Sequence, residues 1–208
     1  MGNTIVATQQ LEVYFDCSSP WTYLGFERVI QMLSSEPIEI IWKPILVGGL
    51  FNTINPSVYH SRENPIAEKV AYTAKDLRDW ANLVGIKIGM PAMHPVNSVR
   101  AMRGAFVALE HDVLVPYARK VFQYYWGQQR DISDPTLLKE IIAQVDINET
   151  EYFDKIESSE YKQKLRDTTQ QLADRGGFGS PTMFLNGDDM YFGNDRIELI
   201  RHKVRGNL

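Results

Sequence analysis

Residues 11–15, Leu-Glu-Val-Tyr-Phe, alternate apolar and polar or aromatic positions and are β-prone, which predicts a first strand ending near Asp16-Cys17. Ser18 or Ser19 then offers a cap for a helix with Pro20 in its first turn, and Trp21, Leu24, Val29 and Leu33 supply its apolar face. Ile38-Glu39-Ile40-Ile41-Trp42 reads as a second strand stopped by Lys43-Pro44. These pieces form a βαβ unit, whose strands are expected to run parallel with a right-handed crossover.

From residue 65 to residue 175 the period changes to that of helices, with Ala71, Leu77, Trp80, Ala81 and Val84 as one candidate buried set. Further helices are predicted over 98–109, 114–127, 136–145, 149–158 and 159–174, separated by Gly, Pro, Asp and Asn signals. No stretch repeats its neighbour. After Arg175 the strand period returns in Thr182-Met183-Phe184-Leu185 and Met190-Tyr191-Phe192, joined by Asn186-Gly187-Asp188-Asp189, a strong hairpin signal. A last helix starts near Asn194-Asp195 and carries Ile197, Leu199 and Ile200. The predicted order is βαβ, helical block, ββα.

The chain has 208 residues, 44% of them hydrophobic and 23% charged, which fits one globular domain or one domain with a large insertion. Its net charge of -4 gives no basic footprint for nucleic acid. The stretch Met1 to Gln10 does not read as a signal peptide, and no window approaches the roughly 18 apolar residues of a membrane helix. A single cysteine, Cys17, excludes an internal disulfide framework and fits a reducing cytoplasm.

The chemistry concentrates at the first strand-to-helix turn. Amides at a helix start and the helix dipole favour a negative charge there. A free thiol has a pKa of about 8.5, so lowering it by about two units, at about 1.4 kcal/mol per unit, makes the thiolate the main form at neutral pH. Ser19 can donate a hydrogen bond to such a thiolate, or serve only as an N-cap. Cys17 reads as a buried small residue rather than a nucleophile, so a thiol would come from elsewhere. Ser180-Pro181 follows a Gly-rich turn and is either a tight cis bond or an ordinary trans turn. Asp195 is a plausible cap or a receiver for a ligand ammonium, and Lys69 either pairs with a ligand carboxylate or is a solvated surface lysine. The four histidines lack metal-ligand spacing, and no Gly-x-Ser-x-Gly elbow or Gly-Lys-Ser/Thr phosphate loop occurs.

Taken in order, five segments resemble the thioredoxin-fold branch that holds 2-hydroxychromene-2-carboxylate isomerases, kappa-class glutathione transferases and DsbA-like oxidoreductases. They are Phe15 to Gly25, Trp42 to Phe51, Lys69 with Tyr72 and Asp76-Leu77, Gly177 to Thr182, and Phe192 to Arg196. The resemblance covers residues 11–204. It implies an α/β, thioredoxin-like fold (residues 1–64 and 176–208) with an all-helical insertion (65–175). It also implies glutathione as cofactor: Ser19 is the catalytic serine at the glutathione sulfur, Ser180 pairs its backbone with the tripeptide, Pro181 is cis, and Asn194-Asp195 holds the γ-glutamyl end. Lys69 and Asn55 would face the same site, with Trp21 and Asn55 on the substrate side. One segment departs from the family pattern: Asn52-Thr53-Ile54-Asn55-Pro56-Ser57 is shorter by about a residue and lacks a lysine common in relatives.

The activity implied is a glutathione-dependent isomerisation of a 2-hydroxychromene-2-carboxylate-type intermediate of aromatic degradation. Reversible thiolate addition, bond rotation and elimination would leave no net redox change. The resemblance also implies a cytoplasmic homodimer acting on a small aromatic substrate. A kappa-like transferase is the near alternative, and a binding module that has lost the chemistry is a third. A disulfide oxidoreductase is disfavoured because Ser19-Pro20-Trp21-Thr22 stands where two cysteines are needed.

Overall fold

In the computed structural model, which describes residues 9–207, the elements run in the predicted order. They are β1 (Gln9–Phe15), α1 (Pro20–Leu33), β2 (Ile38–Pro44), α2 (Val47–Thr53), α3 (Ser57–Glu63), α4 (Ala67–Val84), α5 (Val99–Glu110) and α6 (Leu114–Phe122). After a π-helical turn at Gln123–Gly127 come α7 (Pro135–Ala143), α8 (Glu149–Glu157), α9 (Ser159–Asp174), β3 (Thr182–Leu185), β4 (Asp189–Phe192), a 3-10 turn at Asn194–Arg196 and α10 (Ile197–Val204). The reading of Met1 to Gln10 as lacking a leader falls, but for its last two residues, outside those described.

The four strands form one mixed sheet in the order β2-β1-β3-β4, with β1 parallel to β2 and antiparallel to β3. Alternation along β1 sends its side chains to opposite faces. Leu11 and Val13 join Val29 and Leu33 of α1, Met183 and Leu185 of β3, and Ile197, Ile200 and Val204 of α10. Tyr14 packs on the other side with Ile45, Leu50, Leu172 and Phe184. Phe15 and Cys17 instead continue into a third cluster with Tyr23 and Phe26 of α1 and the buried faces of α5 to α9. Helix α1 therefore contributes to both the sheet core and the helical core. Each fully buried Leu, Val or Phe side chain is worth about 1.5–3 kcal/mol.

Three readings change. Strand β2 continues through Lys43 to Pro44, which pairs with Phe15, because β2 is an edge strand and a missing amide at its end leaves no ladder bond unmade. Ala71 is exposed rather than buried: α4 packs only through its C-terminal half, where Ala81 and Val84 are buried with Leu24 and Leu77 and Trp80 are partly covered. Helices α2 and α3 fill a segment with no helical period of its own.

Candidate functional site

The turn between β1 and α1 is built around a buried carboxylate. Asp16 Oδ1 accepts the Ser18 amide at 2.9 Å and Oδ2 accepts the Val47 amide at 2.8 Å, so one side chain ties the turn to the start of α2. Burial pushes the Asp16 pKa up, opposed by these backbone donors and by hydroxyls of Ser98 and Ser18. Ser19 follows with extended dihedrals, φ -105 and ψ 125, and its Oγ accepts the Thr22 amide at 3.2 Å as the N-cap of α1. Pro20 has no amide hydrogen, which leaves the Trp21 N–H as the donor at the helix start that no described residue engages.

The Ser180-Pro181 bond, cis in the structure, faces this turn. Ser19 Oγ donates to the Ser180 carbonyl at 3.4 Å. Ser180 Oγ accepts the Asp16 amide at 3.2 Å and shares a 2.8 Å hydrogen bond with Thr22 Oγ1. Gly25 makes the close approach possible: a Cβ there would lie 2.8 Å from Pro181 Cγ. The Pro181 carbonyl in turn accepts the Gly193 amide at 3.0 Å, and Gly193 takes φ 100, where an added Cβ would also lie 2.8 Å from Asp195 Oδ1. Asn194 is buried, with its carbonyl accepting Arg28 Nη1 at 2.5 Å and its Oδ1 3.4 Å from the same nitrogen. The Arg28 guanidinium lies 4.5 Å from the centre of the Trp80 ring, which braces it from α4.

Ser19 thus meets Ser180-Pro181 through a hydrogen bond, and Asn194-Asp195 follow the Gly193 amide that is bonded to Pro181. Asp195 is exposed and paired with Arg196 at 2.9 Å. Trp21 is half-buried beside Leu24, Ala81 and Val84. Asn55 bridges the α2–α3 link to the loop before Ser180, with Nδ2 3.4 Å from the Phe178 carbonyl and Oδ1 accepting Ser57 Oγ at 2.6 Å. Lys69 stands apart in the exposed first turn of α4, with no hydrogen bond or ion pair to the described residues.

Sequence reasoning did not single out Asp16, Thr22 or Arg28. The local signal for Asp16 is its place two residues before Ser18, the spacing of an Asx turn. Arg28 offers only a charged residue beside Glu27 in a mostly apolar helix. Cys17 is buried, its carbonyl bound by Trp126 Nε1 at 3.0 Å, and burial, with Asp16 beside it, pushes its thiol well up. It is therefore a poor source of thiolate. Among the described residues no group of three or more His, Cys, Asp or Glu is placed to hold a metal, and no helix is long and apolar enough to cross a membrane.

What this arrangement offers is a helix start, a hydroxyl and a cis-proline loop, with no accessible thiol of its own. The chain is 29% identical over 196 residues to 2-hydroxychromene-2-carboxylate isomerase of Pseudomonas putida, covering 91% of each. It is 26% identical over 205 residues to glutathione S-transferase kappa 1 of Homo sapiens, covering 92% of this chain and 89% of that one. A solved 2-hydroxychromene-2-carboxylate isomerase superposes with a TM-score of 0.82 at 25% identity, covering 95% of both chains. Residues 10–205 match the model of the DSBA-like thioredoxin domain, and the chain belongs to that family.

Proposed function

We propose that this protein is a glutathione-dependent isomerase acting on a 2-hydroxychromene-2-carboxylate-type aromatic intermediate. The observation that carries the reading is the Ser19 hydroxyl, seated at the start of α1 and 3.4 Å from the Ser180 carbonyl in a turn whose only cysteine is buried. An enzyme of this kind needs a thiol from outside, and the turn suits one.

The residues present fit glutathione by their chemistry. The Trp21 amide and Ser19 hydroxyl are donors at the positive end of the helix dipole, suited to a sulfur anion. Ser180, ahead of the cis proline, offers backbone to a peptide-like ligand. Asn194-Asp195 supplies an amide and a carboxylate for the γ-glutamyl end, the carboxylate matching its ammonium group, with Arg28 fixing Asn194 from behind. Asn55 and Lys69 are proposed to meet the opposite end of the tripeptide, Lys69 through a carboxylate. Trp21 and Asn55 are proposed to border the substrate.

When bound, glutathione would supply a thiolate able to add reversibly to a conjugated carbon, turning the adjacent carbon–carbon double bond into a single bond that can rotate before the same thiolate leaves. The chain's own part is to hold the donors. Ser19 Oγ would turn its proton from the Ser180 carbonyl to the sulfur position, while its lone pair stays on the Thr22 amide. Asp16 and Thr22 fix the turn, so the backbone needs no reorganisation when charge appears. A homodimer in the cytoplasm, and the division into a thioredoxin-like part and a helical insertion at residues 65–175, belong to the same proposal.

The test is catalysis with and without the thiol. Purified protein with glutathione is expected to interconvert 2-hydroxychromene-2-carboxylate and trans-o-hydroxybenzylidenepyruvate; full activity without glutathione would sink the reading. The similarity to a kappa-class transferase gives a second reading, conjugation of glutathione to electrophiles. A haloarene assay separates the two, because the isomerase leaves no conjugate.

A further inference from the structure

A cavity of about 450 Å3 lies between the start of α2 and α9, with Val99 and Arg103 of α5 in its wall. That size falls within the range of small-molecule sites. None of Ser19, Ser180, Pro181, Asn194 and Asp195 lines it. Leu46, Leu50, Leu165 and Ala173 give it an apolar wall, in which Leu50 and Leu165 are buried side chains. The polar wall carries three cations, Arg103, Lys162 and Arg166, against one carboxylate, Asp167.

Arg103 is the informative residue. Its Nη1 donates to the Ile156 carbonyl at 3.1 Å, while Glu157 Oε2 at 3.9 Å is beyond hydrogen-bond reach. Its Nε is buried with no hydrogen-bond partner. Glu157 is shared besides with Arg100 at 2.8 Å and Lys162 at 3.7 Å. Among the described residues Arg166 donates to Gln163 Oε1, a neutral acceptor, and Asp167 Oδ1 accepts from Gln163 Nε2 at 2.6 Å. Arg103 and Lys162 thus share Glu157 with Arg100 outside the cavity wall, and the wall itself keeps an excess of positive charge on a chain of net charge -4.

The Arg103 guanidinium keeps part of its surface open and has its nearest carboxylate beyond hydrogen-bond reach, so an incoming carboxylate gains a charge-assisted hydrogen bond there. The apolar wall asks for a hydrocarbon body. The carboxylate in the wall, Asp167, disfavours a doubly charged phosphate. We propose that this cavity binds a small amphipathic monocarboxylate, with its apolar body on Leu46, Leu50 and Leu165 and its carboxylate on Arg103. The proposal does not rest on glutathione or on the reaction at Ser19.

The experiment is a nuclear magnetic resonance titration of the full 15N-labelled chain with octanoate, with octanol and with inorganic phosphate. Octanoate is expected to give saturable shifts confined to residues 46–53, 99–103 and 162–173, with octanol weaker by about tenfold or more and phosphate without effect at these amides. Arg103→Met is expected to reduce octanoate affinity about tenfold while leaving octanol unchanged. Should that variant fail to fold, the more exposed double variant Lys162→Gln/Arg166→Gln decides, with octanoate weakened and octanol unaffected. Shifts that do not saturate or lie elsewhere, equal binding of octanol, or unchanged octanoate affinity in the variants would overturn the site.

Discussion

Ser19 Oγ reaches the carbonyl of Ser180 at 3.4 Å across 161 residues of chain, and the same oxygen caps α1 through the Thr22 amide at 3.2 Å. One hydroxyl thus has a structural acceptor role and a donor role that faces the cis-proline loop. The two can be separated by mutation. Ser19→Asn retains a good cap residue and lacks the hydroxyl, so it should stay within a few tenths of a kcal/mol of the parent in urea denaturation. It should nevertheless lose most of its glutathione-dependent activity. Ser19→Ala loses both roles and is expected to cost about 1 kcal/mol as well as the activity. Parent-like turnover by a stable Ser19→Asn variant would assign Ser19 to the cap alone.

Gly25 sets how closely α1 lies against the loop. Alanine gains up to about 1 kcal/mol of helix propensity over glycine, and overpacking costs about 1–3 kcal/mol. With a Cβ at 2.8 Å from Pro181 Cγ and 3.4 Å from Pro181 Cβ, packing should dominate. Gly25→Ala is predicted to lower stability by about 1 kcal/mol and to raise the KM for glutathione, because Pro181 and Ser180 move together. Denaturation and steady-state kinetics check both parts. A variant more stable than the parent with the same KM would show that the loop has room to shift.

A network outside the site makes a prediction about acid stability. Burial pushes the Glu110 pKa up, but hydrogen bonds from Tyr161, Lys155 and Lys164 outweigh it and hold the carboxyl at about 2, below its ordinary 4.5. The native state therefore binds fewer protons than the unfolded chain in that window. The stabilisation is fully present above the unfolded value and disappears as pH falls towards the folded one. Its size is modest, about 1 kcal/mol or less, because the side chain is 38% exposed and screened. Glu110→Gln should be less stable than the parent near neutral pH, with the gap closing between about pH 4.5 and about pH 2. A gap independent of pH would contradict the charge argument.

The fold was legible where the information is local. Strand-prone residues marked β1 and β2, and Asn186-Gly187 between two apolar runs marked the hairpin, whose three-residue loop between the paired Leu185 and Asp189 has Asn186 at φ 51 and Gly187 at φ 102. Ser18 or Ser19 before Pro20 marked the start of α1, and Ser19 is the cap. Helices α2 and α3 were not legible, because Gly48, Gly49, Asn52 and Pro56 suggest a loop. Helix α2 is held by tertiary contacts instead: Leu46 N donates to Thr169 Oγ1 at 2.9 Å, Val47 N to Asp16, and Leu50 packs against Leu172. Within the site, the cap and the proline loop could be read from neighbours in sequence. The roles of Asp16 and Arg28 could not, since their partners Val47 and Asn194 lie 31 and 166 residues away.

The central claim is that an external thiol occupies the turn that Cys17 cannot serve, and the structure of the protein with glutathione tests it most directly. The account predicts the sulfur within hydrogen-bond distance of Ser19 Oγ, the tripeptide backbone along Ser180-Pro181 and the γ-glutamyl group at Asn194-Asp195. Glutathione bound elsewhere, or no binding at millimolar concentration, would contradict it.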